Sequence, residues 1–295
     1  MQWIELSIQT DAEGAEAAAA LLNEYGNGGA VIEETVTPDP DQPFDPARAF
    51  AVRAFFSPDD AAARTRAEEG LWHLAQLRAM GAPQTREVRE EDWAEAWKKY
   101  YTIQHIGARL VIKPSWLDYA ARSGEVIVEL DPGMAFGTGL HPTTQMCLAA
   151  LESMQNFARV LDVGTGSGIL SIAAAKLGAR EIFSLDTDPI AVETATRNVA
   201  HNRMDEIIRV ARGSLDLAQD EPPFDLILIN ILAEVIAELA PALAPRLRAG
   251  GQIIASGILD FKADGVAEAL ANAGIAVIEK MQKDDWVTLV GVREI

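Results

Sequence analysis

The chain has 295 residues, 49% of them hydrophobic, enough for two globular cores. No run of about 18 apolar residues occurs, so no membrane span is expected, and Met1–Glu5 lacks the basic-then-apolar pattern of a signal peptide. The net charge of −19, spread over both halves, repels a phosphate backbone and attracts a basic protein, so direct nucleic-acid binding is not expected.

The first 90 residues read as a small α/β unit. Trp3 to Ile8 alternates like a strand, and Ala12 to Tyr25 is an alanine-rich helix stopped at Gly26. Ala30 to Val36 and Ala49 to Phe56 read as strands on either side of the proline-rich segment Thr37 to Pro46, which excludes regular structure. Pro58 to Met80 reads as a helix and Thr85 to Arg89 as a strand. The order β-α-β-β-α-β is that of a ferredoxin-like α+β domain. His73, beside Trp72 and Leu74, reads as a packing or solvated residue.

Residues 91–107 read as a connecting helix and linker, with Trp93 and Trp97 four apart on one helical face. Residues 108–295 read as the larger domain. Ala108 to Ile112 and Glu125 to Leu130 are its first strands, around Lys113-Pro114-Ser115-Trp116. The loop Asp131 to Thr144 follows, rich in glycine and hydroxyls, with Phe136 and His141. It precedes the helix Gln145 to Met154, with Thr143 or Thr144 as the candidate cap. Phe136 could pack on an adenine face and Thr144 could hydrogen-bond a ligand. No role is assigned to His141, because Pro142 beside it marks a turn. Cys147, the only cysteine, reads as a small core residue of this helix; an internal disulfide is impossible, which fits a reducing cytoplasm.

Val160 to Gly168 carries the most information. An apolar strand runs into three glycines, and Ile169 to Leu177 reads as the helix beyond, the layout of a nucleotide-binding corner. A dinucleotide fingerprint needs glycine at position 169, where the chain has Ile169. Asp162 precedes the first glycine by two residues; a carboxylate there disfavours a pyrophosphate and suits a ligand with a cationic end. Glu181 to Asp186 reads as the next strand. Asp186, 22 residues beyond Gly164, sits where an acid meets a ribose hydroxyl pair, with a turn or cap role as the alternative. Asp188-Pro189 opens the following helix. Phe224 to Asn230 is an apolar strand ending in an amide, which is either at the ligand crevice or a cap for a helix Ile231 to Leu239. The strand Gln252 to Ser256, the helix Gly265 to Ala273 and the strand pair Ala276 to Lys280 and Trp286 to Val292 complete the series.

The spacing Asp162 to Gly168 resembles the first motif of the Rossmann-like class I S-adenosylmethionine-dependent methyltransferases. Taken with the Asp131–Thr144 loop, Asp186, Asn230-Ile231-Leu232-Ala233 and the stretch from Glu91-Asp92-Trp93 through Lys113-Pro114-Ser115-Trp116, the chain resembles the PrmA family along nearly its whole length. That family methylates large-subunit ribosomal protein eleven, on lysine side chains and the α-amino group. The resemblance implies S-adenosylmethionine as cofactor and S-adenosylhomocysteine as product. It implies cofactor contacts from Thr144, Gly164, Asp186 and Asn230, to which Gly166 of the same turn is added. It also implies substrate recognition by the N-terminal domain. No general base is assigned, no metal site is expected, and a monomer is expected. Asn230 is followed by Ile231-Leu232, not by two prolines and an aromatic, which argues against chemistry on an amide or base nitrogen. The competing readings are a methyltransferase of another basic protein or a small molecule, a non-catalytic cofactor-binding factor, and a nicotinamide oxidoreductase, the last disfavoured by Ile169 and Asp162.

Overall fold

The computed structural model describes residues 2–26, 30–34, 50–58, 60–78, 80–89, 102–131, 139 and 141–294. The expected connecting helix with Trp93 and Trp97, the segment Thr37 to Pro46, and Phe136 lie outside them. The chain forms two compact units, residues 1–100 and 101–295.

The first unit holds strands β1 (Gln2–Thr10), β2 (Val31–Glu34), β3 (Phe50–Phe56) and β4 (Gln84–Arg89) and helices α1 (Ala12–Tyr25) and α2 (Ala61–Leu77). The sheet order β2-β3-β1-β4, antiparallel throughout, is ferredoxin-like. Alternation decides the buried face: Leu6 and Ile8 stand opposite Ala54 and Val52 and pack with Phe56, Leu22 and Leu71. Asp11 and Asp60 cap the two helices by accepting from the Gly14 and Ala63 amides at 2.7 and 3.2 Å.

The second unit opens with a three-stranded sheet, β5 (Gln104–Ile106), β6 (Leu110–Lys113) and β7 (Val126–Glu129). Strand β5 falls within the stretch expected as linker. Then come α3 (Pro142–Ser153), β8 (Arg159–Val163), α4 (Ile169–Lys176), β9 (Glu181–Asp186), α5 (Pro189–His201), β10 (Ile208–Arg212), β11 (Phe224–Asn230), α6 (Ala233–Leu243), β12 (Leu247–Leu259), α7 (Asp260–Asn272), β13 (Ile275–Lys283) and β14 (Trp286–Arg293). Seven strands form one sheet in the order β10-β9-β8-β11-β12-β14-β13. Neighbours pair in parallel except around β14, which runs antiparallel to both β12 and β13. This is the Rossmann-like doubly wound architecture.

Both sheet faces are covered. Along β11, Leu226 and Leu228 enter one core cluster and Ile227 and Ile229 the other, so Leu226 to Ile229 is apolar at every position. Cys147 is fully buried in the first of these clusters. No described helix is long and apolar enough to cross a membrane.

Phe56, with no solvent exposure, is among the largest side chains in the first unit's core. Phe56→Ala is expected to cost about 3–5 kcal/mol there. Hydrogen exchange should then accelerate in β1 and β3 while β8, β9 and β11 keep their protection. Equal acceleration in all of these strands would mean that the two units unfold as one.

Candidate functional site

The chain runs from β8 outward through β9 and β10, then returns to the other side of β8 with β11. The connections after β8 and β11 therefore leave in opposite directions, and a crevice opens outside their carboxyl ends. Gly164 and Gly166 follow β8, Asp186 ends β9 and Asn230 ends β11. Thr144 reaches the same edge from the first turn of α3.

Gly164 and Gly168 have φ of +73° and +83°. A Cβ on Gly164 would lie 2.3 Å from Ile231 Cγ2, so glycine is required there on both counts. The turn is held by its neighbours. The Gly164 and Thr165 amides donate to the Leu185 carbonyl at 2.8 and 3.0 Å, and Asn198 donates to the Ser167 carbonyl at 2.8 Å. The Gly166 amide donates to Asp186 Oδ2 at 2.9 Å. Asp186 Oδ1 accepts from the Asp188 amide at 3.0 Å, leaving lone pairs on a part-exposed carboxylate. The cap of α5 is Asp188, which accepts from the Ile190 amide at 2.8 Å. Asp186 is thus no helix cap.

Asp162 does not face a ligand. It is 1% exposed beneath the turn, where Oδ2 accepts from Thr165 Oγ1 at 2.7 Å and Ser171 Oγ at 2.6 Å. Ser184 extends the chain of hydroxyls at 2.7 Å from Ser171. Alternation along β8 turns Asp162 to the side of α4 while Leu161 and Val163 enter the opposite cluster. Its role is to tie the turn to the first turn of α4. Ser171 and Ser184 were not singled out in the sequence; their signal is a single hydroxyl inside an otherwise apolar helix and strand.

Thr144 is fully buried, and Asn230 Nδ2 donates to its Oγ1 at 3.4 Å. Asn230 Oδ1 is also buried, yet it has no hydrogen-bond partner among the described residues. Helix α6 begins at Ala233 with Leu232 in the cap position, so Asn230 is not a cap. Helix α3, by contrast, starts earlier than expected. Pro142 occupies its first turn and His141, not Thr143 or Thr144, is the cap, through Nδ1 beside the Thr143 amide at 3.4 Å and hydroxyl at 2.7 Å. The His141 ring packs edge-on against Trp286 at 4.8 Å, and burial pushes its pKa down to about 4. Such a ring is too weak a base to take a proton from an alkylammonium.

The start of the Asp131–Thr144 loop is anchored by residues of the preceding motif. The Ser115 amide and hydroxyl both donate to the Asp131 carboxylate at 2.8 Å. Lys113, largely buried, pairs with Glu129 at 2.9 Å, and Glu129 meets His201 at 2.8 Å. Asn202 bonds both backbone groups of Glu129, which fastens β7 to the end of α5. No group of three or more His, Cys, Asp or Glu among the described residues could hold a metal ion.

Burial raises the Asp162 pKa from 3.8 to about 6, against hydrogen bonds from Ser171 and Thr165 that lower it, with the Asp186 charge adding to the rise. The folded protein therefore keeps a proton that the unfolded chain has released. The corresponding stability is present at low pH and lost as pH rises through about 6. Asp162→Asn carries no such slope. Relative to the parent, its unfolding free energy should improve by about 1 kcal/mol between pH ~5 and ~7.5. Denaturant titrations showing a pH-independent difference would rule out Asp162 as the titrating group.

The family described as "Ribosomal protein L11 methyltransferase (PrmA)" matches residues 2–294. A ribosomal protein L11 methyltransferase of Chloroflexus aurantiacus is 44% identical over 98% of this chain and 97% of its own length. One from Pelotomaculum thermopropionicum is 43% identical over 98% of both. The crystal structure of a ribosomal protein L11 methylase from Lactobacillus delbrueckii subsp. bulgaricus superposes with a TM-score of 0.61 at 38% identity, covering 66% of this chain and all of that one. With a family match that leaves out only the first and last residues, and relatives this similar along their whole length, the chain belongs to the ribosomal protein L11 methyltransferase (PrmA) family.

Proposed function

We propose that the protein transfers methyl groups from S-adenosylmethionine to lysine side chains and the α-amine of large-subunit ribosomal protein eleven. The observation that carries the reading is Asn230 Oδ1, buried and without a described partner at the carboxyl end of β11. Beside it lie a glycine turn too crowded for a Cβ and an acid with spare lone pairs. These features fit the cofactor: Asp186 would accept from the ribose hydroxyls, Gly164 and Gly166 would border it with bare backbone, and Thr144 and Asn230 would sit at the reacting end. The acidic chain suits a basic protein substrate and disfavours direct nucleic-acid binding. The reading includes a monomer working in the cytoplasm, with the first unit recognising the substrate.

The acceptor nitrogen must be neutral to attack. A free lysine has a pKa of ~10.4, so only about one in a thousand is neutral near pH 7.4. A desolvated crevice lowers that value. Asn230 Oδ1 accepts one N–H of the amine and so aims the nitrogen lone pair, while the bond from Nδ2 to Thr144 holds the amide plane. S-adenosylmethionine, held by Asp186 and the Gly164–Gly166 turn, would supply an electrophilic sulfonium methyl toward which Asn230 and Thr144 would orient the amine. The nitrogen then gives its extra proton to water.

The direct test is incubation with methyl-labelled S-adenosylmethionine and unmodified ribosomal protein eleven, with mass analysis of the product. Label on lysines and the α-amine supports the reading, and none on the protein overturns it. Asp186→Ala should weaken cofactor binding by roughly 1.5–3 kcal/mol, because an acceptor is lost and the Gly166 amide loses its anchor. Unchanged calorimetric affinity in the folded variant would contradict this placement. Asn230→Ala should lower kcat and kcat/KM together, by about tenfold or more. Since Asn230 caps no helix, its melting temperature should move little. A wild-type single-turnover rate at saturation would remove Asn230 from the chemistry.

A further inference from the structure

Three of the large apolar side chains that the second unit leaves in water sit at the beginnings of α6 and α7. Leu232 is 69% exposed, Val235 37% and Phe261 79%. Leu232 comes two residues after Asn230, and α7 follows β12, whose Ser256 pairs with Asn230 across the sheet. The patch therefore borders the position where the acceptor nitrogen must arrive.

Local physics gives no reason for Leu232. The cap position of a helix favours Ser, Thr, Asp or Asn, which bond a free first-turn amide. Here Leu232 caps α6 and Leu259 caps α7, and neither helix has a side-chain cap. An apolar group in water where a polar one would stabilise the fold is a local conflict of the kind found at functional surfaces. The patch is also held in shape. Lys262, from the first turn of α7, pairs with Glu234, from the first turn of α6, at 2.5 Å, and lies 5.4 Å from the centre of the Phe261 ring. Asp260 pairs with Lys280 at 3.2 Å. Both lysines on this rim are matched by carboxylates, so it presents no uncompensated positive charge to a basic partner in these pairs.

We infer that Leu232, Val235 and Phe261 form the surface on which the polypeptide segment around the modified lysine is laid down. The inference rests on the reading of the chain as a methyltransferase of a basic ribosomal protein. Extended chain spans about 3.3–3.6 Å per residue, so the residues within about three positions of the acceptor are within reach of this rim when its nitrogen meets Asn230. The recognised element is an aliphatic or aromatic side chain close to the target lysine. Specificity among lysines then comes from apolar neighbours, while the acidic chain as a whole draws in the basic protein.

The full-length enzyme is assayed with unmodified ribosomal protein eleven and S-adenosylmethionine, as parent, Leu232→Ser, Phe261→Ser, and the apolar replacements Leu232→Met and Phe261→Leu. Each serine variant should raise KM for the protein about tenfold, by loss of uniform binding, with little change in kcat. Calorimetric cofactor affinity should match the parent, and the apolar replacements should restore KM to near the parent value. Unchanged KM in the serine variants overturns the docking surface while leaving the methyltransferase reading intact. A parent enzyme that does not methylate this protein overturns both. A parent dimer dissolved by the serine substitutions would assign the patch to a second copy of the chain and overturn the inference.

Discussion

The geometry of the site depends on how closely three turns approach one another at Ile231. Its side chain lies where a Cβ on Gly164 would be, and its carbonyl lies where a Cβ on Gly257 would be, 2.2 Å away. The turns after β8 and β11 and the bend within β12 at Gly257 are thereby locked together by one residue. Gly257 has φ of +83°, and the pairing of β12 with β14 shifts register between Ala255 and Ile258, so the strand bends to let Ile231 pass. Ile231 is thereby fixed on both sides, immediately after Asn230, whose amide meets Thr144 at 3.4 Å.

The second constraint is electrostatic. A carboxylate buried beneath the glycine turn is costly unless hydrogen-bonded, and Thr165 and Ser171 supply those bonds to Asp162. Asp186 does the same work from above, receiving the Gly166 amide. The turn is held between two acids of different character, one sealed in the core and one half open to the crevice. Only the second has the exposure to meet a ligand.

What could be read from the sequence follows from these facts. The strands Glu181–Asp186 and Phe224–Asn230 are legible to the residue, because strands buried on both faces are mostly apolar and each ends in a polar group at the crevice. Strand β10 was not legible: it lies at the sheet edge, and Arg209 and Arg212 interrupt its pattern. Strand β5, three residues long, is too short to carry a period. Helices α6 and α7 were placed two residues early and five residues late, since a leucine in the cap position gives no start signal and Gly265 within α7 read as a beginning. The misplaced role of Asp162 has a different origin. Spacing and alternation give position and face along a strand, but what covers that face, solvent or a helix such as α4, depends on tertiary packing. That Asn230 Oδ1 is buried without a partner among the described residues is likewise a property of three-dimensional packing, and no pattern of residue types encodes it.

Cys147 carries one further consequence. Its thiol is wholly enclosed in the core, and burial pushes its pKa up to about 12, so almost no thiolate exists at neutral pH. Thiolate is the species that oxidants react with and that attacks disulfides, and the chain has no second cysteine to resolve a sulfenic acid. Cys147 is therefore shielded from thiol oxidation and from disulfide exchange with its surroundings as long as the core stays closed.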